Sequence, residues 1–162
     1  MSARFFLDTN VLVYAADARA GEKQRRAQGV ISDCREASSG VISTQVLVEF
    51  YSIITRKVGV DPLVARDMVT DLRDFEVVIM DMPLIREGID ISLLSRLSFW
   101  DGMIVAAAEW AGCQVVVTED LNHGQVISGV RIENPFLDLG KPPKKTTRER
   151  RVGYRTKRKK KA

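Results

Sequence analysis

At 162 residues and 45% hydrophobic content the chain fits one domain with a single core, and no run reaches the roughly 18 to 20 apolar residues of a membrane span. Its first eight residues reach a charge, Asp8, too early for the apolar stretch of a signal peptide, so a cytosolic protein is expected. The net charge of +4 hides an asymmetry: residues 1–140 hold 13 Lys/Arg against 20 Asp/Glu, a net of −7, while residues 141–162 hold 12 against 1, a net of +11.

Arg4 to Leu7 is a short apolar run that ends on Asp8, and Thr9-Asn10 behind it can cap a helix through Val11 to Ala15. Glu22 to Ala37 is polar and helix-favouring, and Gly40 to Ser43 reads as a brief strand. Ser43 or Thr44 caps a longer helix with Val46, Leu47, Phe50, Tyr51, Ile54 and Val58 at helical spacing; Glu49 lies inside it and Gly59 stops it. Asp61-Pro62 opens the next helix, with Leu63, Met68, Val69 and Leu72 as its buried stripe, and Glu76 to Met80 follows as a buried strand.

Met82 to Leu97 is again helical in period, and Ser98 to Gly102 forms a junction, carrying Asp101, into a small-residue helix over Met103 to Ala111 that Gly112 ends. Gln114 to Thr118 is an apolar strand, Glu119 to Gly124 the loop behind it with Asp120, and Val130 to Ile132 a last strand before Asn134-Pro135. Alternating helices and near-continuous apolar strands predict an α/β three-layer sandwich with a mostly parallel central sheet of four or five strands. Sites in such sheets gather at the carboxyl ends of strands, where Asp8 and Asp120 fall. Glu49 and Asp101 face the same edge if their helices begin there.

Carboxylates at the seams of an apolar core call for a positive partner, and a divalent metal is the simplest one. The chain has one histidine, His123, so no multi-histidine zinc site can form, and the two cysteines, Cys34 and Cys113, lie outside any CxxC spacing and read as reduced, packed thiols. Carboxylates are therefore left to carry the chemistry.

Asp8-Thr9-Asn10, Glu49 within a helix, Asp101 in Trp100-Asp-Gly102 and Thr118-Glu-Asp120 after an apolar strand together resemble the PIN-domain nucleases, most closely the VapC toxin group. The resemblance covers residues 4 to 137. It implies a PIN-like fold and a metal-dependent endoribonuclease acting on structured RNA such as transfer or ribosomal RNA. It further implies silencing by a cognate antitoxin protein, and a homodimer with contacts around residues 44–74. Carried over by position, Asp8, Glu49, Asp101 and Asp120 are the catalytic, metal-binding acids and Thr9, Asn10 and Thr118 their polar support. Oxygen-ligated Mg²⁺ or Mn²⁺ supplies a bound hydroxide and a sink for the negative charge of the phosphorane, so no histidine base is needed. By analogy the products carry 5′-phosphate and 3′-hydroxyl ends.

Many family members place a further Asp three residues beyond Asp120, where this chain has His123, which leaves Glu119 as the alternative fourth acid. His123 is either an idle loop residue or a phosphate contact when protonated. Phe50, Trp100 and Trp110 read as core or dimer contacts rather than stacking platforms. Residues 1–140 form the nuclease domain; residues 141–162 form a basic tail that composition predicts to be disordered alone. As an arm the tail would offer Lys144, Lys145, Arg148, Arg150, Arg151, Arg155, Lys157 and Arg158 to RNA. The other readings of the tail are a solvated appendage and a brake bound to the body's own acidic face.

Rival functions fare worse. A haloacid-dehalogenase-like phosphatase needs a second Asp where Asn10 stands, and a receiver-type phosphoacceptor needs an acidic pair near the first strand and a late-strand lysine. A housekeeping RNA-processing nuclease and a catalytically silent RNA-binding module remain as alternatives to the toxin.

Overall fold

The structure, a computed structural model, describes residues 2–141. The tail residues singled out above lie outside the described residues. In chain order the elements are β1 (Phe5–Leu7), α1 (Thr9–Ala16), α2 (Glu22–Glu36), β2 (Gly40–Ser43), α3 (Thr44–Ile53), α4 (Pro62–Asp71), β3 (Glu76–Val78), α5 (Met82–Ser95), α6 (Phe99–Trp110), β4 (Val115–Val117), β5 (Val126–Ile127) and β6 (Val130–Glu133). Short 3₁₀ turns precede α2 and follow α4, and a π-type turn, Ile54–Val58, extends α3 to Gly59.

The sheet runs β3-β2-β1-β4-β6-β5. Five strands are parallel, and β5 pairs antiparallel with β6. Connections from β1 to β2 and β2 to β3 step one way along the sheet, and that from β3 to β4 steps back past β1. Right-handed crossovers therefore put α1 to α4 on one face and α5 and α6 on the other, giving three layers. Strand order reverses between β1 and β4, and the crevice at the carboxyl ends of these two strands is where such sheets bind ligands.

The core is built from the strands and the helix faces they meet. Phe6, Leu7, Ile42, Val116 and Ile132 are fully or almost fully buried in the sheet. Each such side chain contributes roughly 1.5–3 kcal/mol by leaving water. Helix α6 is buried through seven consecutive residues, Gly102 to Ala108, and packs on α5. That packing needs glycine: a Cβ on Gly102 would stand 2.3 Å from the Gly88 carbonyl oxygen and 2.8 Å from Ser92 Cβ. Cys34 and Cys113 are both free and buried, and burial pushes the Cys113 thiol up to about 11.

Several local expectations need correction. The sixth strand went unread because β5 is two residues long; its signal is Ser128-Gly129, a two-residue hairpin loop with φ of 49° and 77°, which suits a type I′ turn. Asp8, not Thr9 or Asn10, caps α1. Helix α6 starts at Phe99 with Ser98 as its cap, so Asp101 sits inside the first turn. In α4 the buried position is Ala65 and Leu63 is exposed, because the helix lies further from the sheet than its stripe implied. Strand β3 ends at Val78, leaving Ile79 exposed at the sheet's edge.

Candidate active site

Asp8 leaves β1 at the switch point, buried to 6% exposure. Its Oδ1 accepts from the Thr9 amide at 2.7 Å, which caps α1, and its Oδ2 accepts from Thr118 Oγ1 at 2.7 Å. Burial pushes its carboxyl up to about 6, against the pull of the Thr118 and Thr9 hydrogen bonds; the charges of Asp120 and Glu49 push the same way as burial. Desolvation wins because the site is walled by the sheet on one side and α1 on the other.

Thr118, one residue past β4, is fully buried. Its hydroxyl donates to Asp8 and accepts from Asn10 Nδ2 at 3.0 Å and from the Asp120 amide at 3.1 Å. Asn10 Nδ2 also lies 3.3 Å from Asp8 Oδ2 and 3.2 Å from Asp120 Oδ2. One amide group on α1 thus ties the acid after β1 to the acid after β4.

Glu49 comes from α3. Its Oε2 accepts from Thr9 Oγ1 at 2.9 Å and its Oε1 from Gln45 Nε2, one turn back, at 2.9 Å. Thr9 therefore holds two acids, Asp8 through its amide and Glu49 through its hydroxyl. Asp101 is fixed by Ser98, whose hydroxyl donates to Oδ2 at 2.7 Å and accepts from the Asp101 amide at 3.1 Å. This pair of hydrogen bonds holds the carboxylate at the helix start.

All four acids line one cavity of about 850 Å³, together with Thr9, Asn10 and Gln45. Among the described residues no Lys, Arg or His lines it. The rest of its wall is largely apolar, with Val48, Met80 and Met103, and the exposed Trp100 stands at its rim. Among the described residues no three His, Cys, Asp or Glu side chains converge closely enough to hold one ion as placed. Each acid is instead held by its own polar neighbours, as mutual repulsion requires of like charges without a counter-ion.

Glu119, the alternative fourth acid, does not line this cavity. It turns to Lys23, whose Nζ lies 2.7 Å from Oε2, and accepts a hydrogen bond from the Tyr14 hydroxyl. His123 lies outside the cavity as well, its Nδ1 accepting from the Asn134 amide at 3.0 Å. Phe50 is core, but Trp100 and Trp110 are 60% and 71% exposed, so neither belongs to this chain's core. The sequence singled out neither Gln45 nor Ser98 for the site. A polar residue one turn before Glu49 and a serine three before Asp101 are the signals that would have found them.

A profile of the family described as "PIN domain" matches residues 5–127. The chain belongs to the PIN-domain family. Solved structures with the same fold include a toxin-antitoxin complex from Klebsiella pneumoniae (19% identity, TM-score 0.59, covering 83% of this chain and 98% of that one). DNA-bound VapBC from Salmonella typhimurium is similar at 24% identity with a TM-score of 0.61, covering 83% and 99%. VapBC2 from Rickettsia felis, bound to a promoter fragment, is similar at 16% identity with a TM-score of 0.59, covering 80% and 97%. No curated protein matches in a sequence comparison.

The PIN-domain cavity fits a divalent cation by the chemistry of its donors. Among the described residues it offers the carboxylate oxygens of Asp8, Glu49, Asp101 and Asp120, and no imidazole, no thiolate and no basic side chain to neutralise them. Two further oxygens, Asn10 Oδ1 and Gln45 Oε1, are buried in residues of the same wall without a hydrogen-bond partner. Hard, oxygen-ligated ions of the Mg²⁺ and Mn²⁺ type suit that set.

Proposed function

We propose that this PIN-domain protein is a Mg²⁺- or Mn²⁺-dependent endoribonuclease acting in the cytoplasm as the toxin of a VapBC-type toxin-antitoxin pair. The observation that carries it is the single cavity at the switch point, lined by Asp8, Glu49, Asp101 and Asp120 and, among the described residues, by no basic one. The metal would be held by these carboxylates and would supply an activated water and a sink for charge on the phosphorane. Asp8 anchors the set, since Thr9, Asn10 and Thr118 leave its oxygens little freedom. Glu49 and Asp101, steered by Gln45 and Ser98, orient water towards the scissile phosphate from the α3 and α6 sides. Asp120, the most exposed of the four, completes the ring from the loop behind β4.

RNA supplies the anionic substrate that such a centre handles, and two features support it. The exposed Trp100 at the cavity rim offers a face on which a base can stack. The tail, with a net charge of +11 over residues 141–162, acts as an arm that offsets repulsion between RNA and an acidic body. Ahead of the arm, Phe136 packs edge-to-face on Tyr14, which lines the cavity, and Arg26 ties Asp138 to α2.

An antitoxin protein as partner is supported by the toxin-antitoxin complexes that share the fold. A homodimer is supported by the exposed Val48, Leu63 and Val64 on α3 and α4, within the segment expected to make contacts. Sequencing RNA 5′ ends after expressing wild type and Asp101→Asn tests the activity. New 5′-phosphate ends unique to the wild type are expected, and identical profiles would overturn it. Growth arrest on induction, relieved by a small protein encoded next door, separates a toxin from an RNA-processing nuclease.

A further inference from the structure

Two consecutive carboxylates, Glu119 and Asp120, leave β4 in opposite directions, and one face of α1 holds both. Asn10 Nδ2 reaches Asp120 Oδ2 at 3.2 Å; Tyr14, one helical turn along at i+4, donates its hydroxyl to Glu119. Lys23 from α2 closes the second hold, with Nζ 2.7 Å from Glu119 Oε2 and 3.2 Å from the Tyr14 hydroxyl. The ammonium lies 4.6 Å from the centre of the Tyr14 ring and 5.5 Å from that of Phe136. Both aromatic faces and the carboxylate therefore favour its charge at this one spot. Lys23 and Glu119 are both partly sheltered, with side-chain exposures of 39% and 22%.

We propose that Lys23, Tyr14 and Glu119 form a latch that positions Asp120: by pinning Glu119 outside the cavity, the latch fixes the chain direction at 118–120 and presents the next carboxylate to Asn10 and the site. The constraint is geometric. Residues 118–120 follow β4 into a bend in which the Thr118 hydroxyl accepts from the Asp120 amide at 3.1 Å, so with Glu119 fixed on Lys23 the Asp120 carboxylate has one direction to take, towards Asn10. A loosened Glu119 would let the loop rotate and bring either carboxylate to the cavity mouth. The three act as positioning residues through Asp120, and the latch rests on the metal-site reading only for its effect on ion binding.

The test uses the full chain and Mn²⁺ alone, titrated by calorimetry at pH 7.5, with amide hydrogen exchange of residues 118–121 measured without metal. Lys23→Met, which keeps the stem over the rings, should weaken Mn²⁺ binding about 10-fold, the low end for positioning partners of metal ligands. Lys23→Glu should weaken it further, although a more acidic body by itself attracts a cation more strongly. The sign therefore separates a latch from a general charge effect. The exchange Lys23→Glu with Glu119→Lys should restore affinity to within about threefold of the wild type. Amides 118–121 should exchange faster in both single variants and return towards wild type in the double variant.

Wild-type affinity and wild-type exchange in Lys23→Glu would overturn the latch, as would a failure of the double variant to recover either. If the wild type binds no Mn²⁺, the metal-site reading fails by itself, and the exchange pattern alone decides the latch.

Discussion

Replacing Asp8 by Asn should stabilise the metal-free protein. The carboxyl titrates near 6 in the folded chain against an ordinary 3.8, so folding raises its affinity for a proton. A shift of about two units at about 1.4 kcal/mol each corresponds to about 3 kcal/mol, comparable with burying one large apolar side chain. A raised value contributes stability that is fully present below pH 3.8 and is lost as pH rises through about 6. Above pH 7 the folded wild type thus carries an ionised, desolvated Asp8 at that cost. Asn removes the charge and still caps α1 through its carbonyl oxygen. Its amide, however, meets a Thr118 hydroxyl that already accepts from Asn10 and Asp120, so part of the gain is lost. A net gain of about 1–3 kcal/mol remains, or a melting temperature higher by about 3–10 °C for a body of this size. Thermal unfolding in chelator at pH 7.5 and pH 4 measures it. The gain should shrink below about 1 kcal/mol at pH 4, where the folded wild type holds its proton. Equal melting temperatures at pH 7.5, or the same gain at both pH values, would refute the account.

Gly102→Ala should destabilise by about 1–3 kcal/mol through overpacking against Gly88 and Ser92, and should lower activity further by moving Asp101 with the helix; chemical denaturation and cleavage assays separate the two. Glu49→Gln and Asp101→Asn should each leave the fold intact and reduce RNA cleavage about 100-fold or more, read from single-turnover rates alongside circular dichroism. Removing residues 141–162 should flatten the salt dependence of RNA binding; if about six of the arm's charges contact single-stranded phosphates, log K falls with log salt at a slope of about −4 in the full chain.

Residue patterns carried the layer order and most of the site, for physical reasons that also mark where they stopped. Apolar runs ending on acids located Asp8 and Asp120, because a parallel strand buried on both faces has a continuous apolar code and its end is where polarity must return. Glu49 was legible for a different reason: it interrupts an otherwise apolar stretch of α3. A helical stripe, by contrast, states a direction and not a neighbour. That is why Leu63 and Trp100, both at apolar positions, turn out exposed, and why α4 buries Ala65. The direction Glu119 takes was illegible locally, since it is held by Lys23 and Tyr14 from α2 and α1, some 96 and 105 residues earlier in the chain.

The four acids do not share the electrostatic load equally, and this has a thermodynamic consequence. Only Asp8 is buried among them; Glu49 and Asp101 are half-buried and Asp120 is exposed, so water still solvates three of the four charges. The cost of desolvation therefore falls on one carboxyl, with a smaller push from the charges of Asp120 and Glu49, and that carboxyl relieves it by keeping a proton until about pH 6. A cation bound there must displace the proton. Titrating Mn²⁺ by calorimetry in buffers of different ionisation enthalpy should show release of about 0.9 proton per ion at pH 5 and almost none at pH 7.5, with affinity rising nearly tenfold per pH unit below pH 6. In Asp8→Asn the low-pH release should vanish and the affinity should lose that pH dependence. Proton release that persists in the variant would place the titrating group elsewhere in the ring, and the burial of Asp8 would then serve the helix cap and not the ion.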